Sequence, residues 1–562
     1  MNNNALWIIL QKLRTPLLVI IVTYAIAILG MVLIPGMDDK GNVYHLSFFD
    51  AFYFVSYMAS TIGFGESPYA FTYQQKLWVS ICIYITVVGW FYGLGALVSA
   101  VTDKTLKFEV MRNRFRKKVQ AIEDDFVIVL GYTHVNAEII KKLHMANMEV
   151  VLIDNDEEKI NFFMLEETKQ DVPFMVADAL LTETLQDAGI LRSNCKGIIA
   201  LFENEEHNFR ISILTKFLNP NVKVVAKSTY DDISKSILDT DIAKVINPFE
   251  VFAKRVDVAL RSPNTLVVEN WIYGNSDLSE EPLYLPEGKY LICGYGRFGK
   301  ALQSKFNKYG IEHVFIDAKR LAHHSMIEEG IFVRANPDDK DILLDVGIKD
   351  SAALIVGTKN DIDNLSIVIT AKKLNPDIYI IARENTMQEV SVFQAADIDW
   401  LFVIEQIYIN KASMSIANPL KHRFLKLILT QKESWIKLLI NLLKNQVDVN
   451  PLLKRLDIKE ESTYALYHEL LNGAEIEIET LLRSLKNREV NNPALPLLLY
   501  RDGEEILLPS NINLQIGDQI LFACTKDSLE EIEFIASNIY ELYYAKYGEE
   551  KIHPFFKRFL SY

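Results

Sequence analysis

Two stretches near the N-terminus carry no charged side chain: Pro16 to Ile34, 19 residues, and Leu77 to Thr102, 26 residues bounded by Lys76 and Asp103. A bilayer core takes roughly 20 helical residues, so each stretch is long enough to cross one. The first is too long for a signal peptide and lacks its small-residue cleavage site, which keeps it in the mature chain. Buried core helices are the alternative, but soluble helices rarely run so far without a charge. Trp435 to Leu443 is the nearest later candidate; it is short, contains Lys437 and reads as an amphipathic packing helix.

Basic residues set an orientation. Lys12 and Arg14 precede the first span, and Lys104, Lys107, Arg112, Arg114, Arg116, Lys117 and Lys118 follow the second. The segment between the spans carries Asp38, Asp39, Asp50 and Glu66. The excess of Lys and Arg places both termini in the cytoplasm and residues 35–76 outside. That outer segment is itself apolar and aromatic from Ser47 to Ser60, then reads Thr61-Ile62-Gly63-Phe64-Gly65-Glu66. An ordinary outer loop would be polar. Uncharged aromatics followed by Gly-x-Gly point to a segment that re-enters the membrane, where non-helical backbone survives only if buried in protein or lining a water-filled path.

From about residue 125 the pattern changes to short β-rich runs alternating with helices, as in βαβ units on a parallel sheet. The unit occurs twice. Gly131 and Asp154 match Gly294 and Asp317 at an offset of 163. Asn204, Asn208 and Leu218-Asn-Pro220 match Asn360, Asn364 and Leu374-Asn-Pro376 at an offset of 156, and Asp187-Ala-Gly-Ile190 is similar to Asp345-Val-Gly-Ile348. This collinear series indicates two tandem copies of one α/β domain. The second copy carries a complete dinucleotide fingerprint, Gly294-Tyr295-Gly296-Arg297-Phe298-Gly299, after the strand Tyr290–Cys293 and before a helix, with Asp317 ending the next strand. The first glycine allows the bend, the second lets a phosphate approach the backbone, the third lets helix and strand pack closely, and the acid can accept ribose hydroxyls. Arg297 is a candidate phosphate contact. A fold kept for packing alone, with an empty site, is the alternative. The first copy reads Gly131-Tyr132-Thr133-His134-Val135-Asn136 and has lost the second and third glycines. That favours a structural or interface role, with Asp154 and Asp178 leaving another ligand, such as a cation, open.

Charge and cysteine content narrow the class. A net charge of −14 disfavours nucleic-acid binding, which needs a positive face. Four cysteines, Cys82, Cys195, Cys293 and Cys524, form no CxxC pair and suggest neither a disulfide framework nor a zinc site.

Thr61 to Gly65, set between two spans, resembles the carbonyl-lined filter of potassium channels. The resemblance implies pore helix and filter at 47–66, a K⁺ path lined by Thr61, Ile62, Gly63, Phe64, Gly65 and Glu66, and a homotetramer around one axis. Phe64 and Glu66 depart from the usual tyrosine and aspartate, and Tyr53 and Phe54 take the place of the common tryptophans. Strict K⁺ over Na⁺ selectivity is therefore less firmly implied than conduction of monovalent cations. Gly89, midway along the second span, resembles the hinge glycine of inner pore helices, with close packing as the alternative reading; Gly93 and Gly95 read as packing positions. The duplicated domains, over 125–245 and 287–405, resemble the regulator of K⁺ conductance (RCK, TrkA-N) family. Pro248 to Leu260 and Glu405 to Ala417 look like its crossover helices, and residues 495–525 like its small C-terminal lobe, with a turn at Asp502-Gly503.

The expected fold is multidomain: an α-helical two-span pore module, then two tandem Rossmann-like α/β domains, the second with a small α+β lobe. The expected boundaries are 1–15 cytoplasmic N-terminus, 16–34 first span, 47–66 pore helix and filter, 77–102 second span, 103–124 linker, 125–285 first domain, and 286–562 second domain with its lobe near 490–530. The expected function is a ligand-gated potassium channel of the cell inner membrane. NAD or an adenine nucleotide is the expected regulatory ligand, and a divalent cation is a further candidate. A less selective cation channel and a component of a K⁺ transporter are the alternatives; carriers, however, need many spans. An anchored NAD-dependent oxidoreductase lacks a catalytic constellation, since His323 and His324 read as a solvated helix face.

Overall fold

The computed structural model describes residues 3–165, 172–229, 242–318, 332–387, 390–487 and 489–551. The chain divides into two compact units. The first comprises Met1–Glu123 with the short segments Pro173–Met175 and Glu183–Gly189; the second comprises the remainder.

In the first unit a helix runs over Asn3–Leu33 and another over Tyr73–Val101. The first begins well ahead of Pro16 and carries that proline inside it. Leu13–Leu33 and Tyr73–Ser99 are long and apolar enough to cross a membrane. Only 22% and 17% of their most apolar windows are buried, whereas a soluble core helix would be mostly covered. Between them lies the helix Phe48–Ala59. Ser47 caps it, accepting the Asp50 amide and donating its hydroxyl to Asp50 Oδ2 at 2.6 Å, which satisfies N-terminal donors that a helix leaves open. Ala51, Phe54, Val55 and Tyr57 bury one face of this helix, at the three- and four-residue spacing of an amphipathic helix. After the second span a separate helix, Lys104–Gln120, carries the basic linker. Its Arg112 and Arg116 pair with Asp187.

The second unit holds the second α/β copy and most of the first. The second copy's six parallel strands lie in the order Phe332–Val333, His313–Ile316, Tyr290–Cys293, Ala353–Val356, Tyr379–Glu384, Trp400–Val403. The first copy's six strands follow the same order, that of a doubly wound dinucleotide-binding sheet. The central strands Phe126–Leu130 and Tyr290–Cys293 are buried at every position, as expected when helices cover both faces.

The duplication reaches individual hydrogen bonds. Asn208 Nδ2 donates to the Lys227 carbonyl at 2.9 Å, and Asn364 Nδ2 donates to the Arg383 carbonyl at 2.9 Å. Glu205 accepts the Thr229 amide at 2.8 Å, and Asp361 accepts the Asn385 amide at 2.9 Å. Asn219 and Asn375 donate to the carbonyls of Ile190 and Ile348. Such buried asparagines tie a loop to the adjacent strand end, and the tie explains why they recur at a fixed offset.

The copies exchange helices. Pro248–Arg261, from the first, packs on Arg297–Tyr309 of the second, and Ile404–Ala417, from the second, packs on His134–Met145 of the first. Beyond the second crossover, Glu433–Gln446 buries Ile436, Leu439, Ile440 and Leu443, the amphipathic packing helix expected there. The C-terminal lobe is an antiparallel sheet in the order Leu452–Asp457, Gln519–Cys524, Ala494–Arg501, Glu504–Leu507, covered by helices. Asp502 and Gly503 turn its hairpin with φ of +48° and +96°, the left-handed pair that a two-residue hairpin loop needs. The strand Leu452–Asp457 joins this sheet from well upstream of residue 490.

Candidate functional site

The segment after Phe48–Ala59 leaves helical geometry at once. Gly63 and Gly65 take φ of +65° and +96°, the left-handed region open to glycine. Thr61 joins them at +63°, a conformation that strains a β-branched residue. The amides of Ile62 and Gly63 both donate to the Tyr57 carbonyl, at 2.9 and 3.3 Å. Tyr57 also donates its phenol to the Gly65 carbonyl at 2.6 Å. Thus the hydroxyl that Phe64 lacks is supplied from the preceding helix, while the Phe64 ring lies edge-on to Tyr57 at 5.5 Å. Phe54 packs between Tyr57 and Phe71, at 5.3 and 4.8 Å, and Tyr53 also lies against Tyr57. Glu66 accepts the Phe71 amide at 2.7 Å and faces Lys76 at 3.3 Å. The carboxylate therefore holds the outer turn. Tyr57 is the residue that reading the chain passed over; its only signal was an aromatic one turn behind the Gly-x-Gly segment.

On the second span, Gly89 sits against Thr23 of the first: an added Cβ would come within 3.0 Å of its hydroxyl. At Gly93 an added Cβ would meet Ile20 at 2.4 Å. Both are close-packing positions in this chain. Gly95 has no neighbour within 4 Å of an added Cβ within this chain.

The fingerprint turn divides its labour among three glycines. Gly294 holds φ of +107°, and an added Cβ would come within 3.0 Å of the Gly357 carbonyl. At Gly299 an added Cβ would meet the Gly294 carbonyl at 2.4 Å. Gly296 is different: nothing lies within 4 Å of an added Cβ, and it precedes Arg297–Tyr309 without a side-chain cap. An open backbone at a helix N-terminus is the arrangement that takes an anion. Asp317 Oδ2 accepts the Tyr295 amide at 2.7 Å, and in the first copy Asp154 Oδ2 accepts the Tyr132 amide at 2.6 Å. The acid at this position thus holds the turn in both copies, and it is the glycines that differ. In the first copy Asn136 occupies the third-glycine position, 2% exposed, and donates to the carbonyls of Gly131 at 2.6 Å and Leu130 at 3.3 Å. Thr133, at the close-approach position, caps the following helix. Asp154 also accepts the Asp156 amide, and Asp178 the Leu180 amide, both at 2.8 Å. Among the described residues no three His, Cys, Asp or Glu side chains gather to hold a metal ion.

Two fingerprint side chains do not line the turn. Phe298 is 2% exposed and stacks on Phe252 at 5.2 Å; it is a packing residue, because the crossover helix of the first copy lands on it. Arg297 donates to Thr229 Oγ1 of the first copy and lies over Phe249 at 5.4 Å. It lines a cavity of about 290 Å3 between the copies, with Thr133, Glu203, Arg383 and Tyr408. Burial lowers the Arg383 pKa to about 10, and its guanidinium rests on Phe249 at 4.8 Å. Tyr295 packs on Phe315 at 4.7 Å and donates its hydroxyl to Gln303. His323 and His324 lie outside the described residues.

With this geometry in view, the TrkA-N family model matches residues 127–248 and 290–403. Both α/β copies are TrkA-N domains, carried in tandem behind two apolar helices. The chain is 27% identical over 244 residues to Potassium channel protein 1 of Methanocaldococcus jannaschii, across 42% of this chain and 68% of that protein. It is 24% identical over 250 residues to Probable potassium channel protein 2 of the same organism, across 43% of this chain and 66% of that one. Among solved structures, one described as "GsuK channel bound to NAD" aligns with 94% of this chain and 99% of that chain, at 13% identity and a TM-score of 0.46.

Proposed function

We propose that the chain is one subunit of a potassium channel of the cell inner membrane, spanning it twice with both termini in the cytoplasm. Four copies surround one axis, and dehydrated K⁺ passes along the backbone oxygens of residues 61–65. The observation that carries this reading is the capped, aromatic-rich helix Phe48–Ala59, whose single charge, Asp50, lies in its first turn, running into a segment with left-handed Gly63 and Gly65, flanked by two helices of membrane-spanning length. The two archaeal relatives, described as potassium channel proteins, support it. The second TrkA-N domain binds NAD or an adenine nucleotide at Gly294–Gly299. The ligand favours one arrangement of the cytoplasmic domains, and Lys104–Gln120 passes that preference to the second span as a coupling free energy. Transport here is passive, and the chain performs no catalysis.

A less selective monovalent cation channel is the second reading, favoured by Phe64 in place of tyrosine. Tyr57 separates the two. Tyr57→Phe removes one hydrogen bond worth about 1 kcal/mol, so the K⁺ over Na⁺ permeability ratio falls roughly fivefold. Reversal potentials in asymmetric K⁺ and Na⁺ measure it, and a Nernstian K⁺ response retained in Tyr57→Phe would assign the filter's stiffness elsewhere.

A further inference from the structure

The parallel strands of the first TrkA-N domain begin with two lysines, Lys223 opening Lys223–Lys227 and Lys244 opening its neighbour Lys244–Ile246. The helix before them carries Lys216 in its last turn. From the second copy, Ile404–Ala417 packs on both strands and brings Lys411 and Ser415, and the helix Pro419–Ile428 brings His422. Lys216, Asn221, Lys223, Lys244 and Ser415 line a cavity of about 240 Å3.

The charge in this place is of one sign. Lys244 Nζ lies 2.5 Å from His422 Nε2, and His422 Nδ1 is buried without a partner. The charged neighbours acting on Lys244 are Lys411, Lys223 and Lys426; those acting on His422 are Lys244, Lys411, Lys426 and Arg423. Burial, reinforced by these bases, lowers the Lys244 pKa to about 7 and that of His422 to about 3. Burial also lowers Lys411, where Glu269 partly offsets it; Glu269 itself pairs with Arg255 at 3.1 Å. Among the described residues no carboxylate forms an ion pair with Lys216, Lys223, Lys244 or Lys426. Converging bases in a partly desolvated cavity destabilise a fold unless an anion joins them.

We propose that this cavity is an anion site for a phosphate group, with Lys244, backed by His422, at its base and Lys216 and Lys223 at its rim. Ammonium groups are compact charges that suit phosphate oxygens. The site is distinct from the fingerprint turn. Rossmann ligands lie at the carboxyl ends of the strands, whereas Lys223 and Lys244 stand at the amino ends, in the other copy. A phosphate there bridges strand ends of the first TrkA-N domain to helices of the second and holds the two together.

The test uses the full chain in detergent, titrated calorimetrically with inorganic pyrophosphate. The comparison is made in a Gly296→Asp background, in which the fingerprint turn repels phosphate. Saturable binding is expected to persist in Gly296→Asp and to weaken at least about tenfold when Lys244→Met is added. Without ligand, Lys244→Met is expected to raise the melting temperature, because it removes repulsion; the same scan shows that the variant folds. Should it not fold, Lys216→Gln with Lys223→Gln, at exposed positions, replaces it and is expected to weaken binding as well. Competition by ADP in the Gly296→Asp background assigns the phosphate to a nucleotide tail, and its failure assigns it to the inorganic ion; either supports the site. Binding lost with Gly296→Asp alone, binding unchanged by the lysine variants, or no saturable binding overturns it.

Discussion

In the first TrkA-N domain the Asn136 amide donates into the turn, to the carbonyls of Gly131 and Leu130. In the second, Gly299 leaves that space to a direct approach of helix and strand, where an added Cβ would sit 2.4 Å from the Gly294 carbonyl. Around this difference the copies agree. Both turns are held by an aspartate accepting a backbone amide, and both loops are tied by matched asparagines. Duplication has kept the groups that hold the backbone and varied the few that decide whether an anion can reach it. The shared aspartate therefore does not tell the two copies apart, whereas the open second glycine does.

That contrast can be broken at its strongest point first. Gly299→Val forces a side chain against backbone and is expected to cost about 3 kcal/mol in chemical denaturation of the second domain. A cost under about 1 kcal/mol would mean that helix and strand can separate freely. Next comes ligand reach. Gly296→Asp points a negative charge at the anion position in open space and is expected to weaken NAD or ADP binding at least tenfold, about 1.4 kcal/mol, with little loss of stability. The equivalent change in the first copy, Thr133→Asp, keeps a helix cap and is expected to leave nucleotide binding unchanged. Equal loss from both would place ligands in both copies. Asn136→Gly removes two hydrogen bonds and is expected to cost about 1–2 kcal/mol without creating a nucleotide site, since Thr133 still fills the approach position.

The last effect concerns pH. Lys244 is a base whose pKa is lowered in the folded chain, to about 7. Between about pH 7 and the ordinary lysine range the unfolded chain holds a proton that the folded chain has released, so stability rises with pH across that window. Below it both states are protonated, and the full penalty of the buried charge remains. Lys244→Met is expected to flatten the rise. Parallel slopes for the two proteins in melting scans from pH 7 to 9 would remove the claim of a shared basic cavity.

Much of this was legible along the chain because it rests on local or periodic signals. Runs without charge mark the two long helices, the Gly-x-Gly segment marks the break after Phe48–Ala59, and a fixed offset marks the duplication. What was hidden depends on packing across distance. The Tyr57 hydroxyl reaches a carbonyl eight residues on because the chain reverses at Thr61. Arg297 reads as a phosphate contact until the first copy's Thr229 and Phe249 take its guanidinium. Phe298 reads as part of a ligand turn until the swapped crossover helix buries it. Leu452–Asp457 is a short edge strand with two exposed charges, and only its pairing with Gln519–Cys524 marks it as sheet. The basic cavity draws on residues nearly two hundred positions apart, which no local pattern connects.

Purified protein reconstituted in planar bilayers, with K⁺ on one side and Na⁺ on the other and NAD added to the cytoplasmic face, bears most directly on the whole account. It predicts a current that reverses near the K⁺ equilibrium potential and an open probability that NAD changes in the wild type but not in Gly296→Asp. A silent bilayer under every condition, or a current reversing at zero with no preference for K⁺, would contradict it.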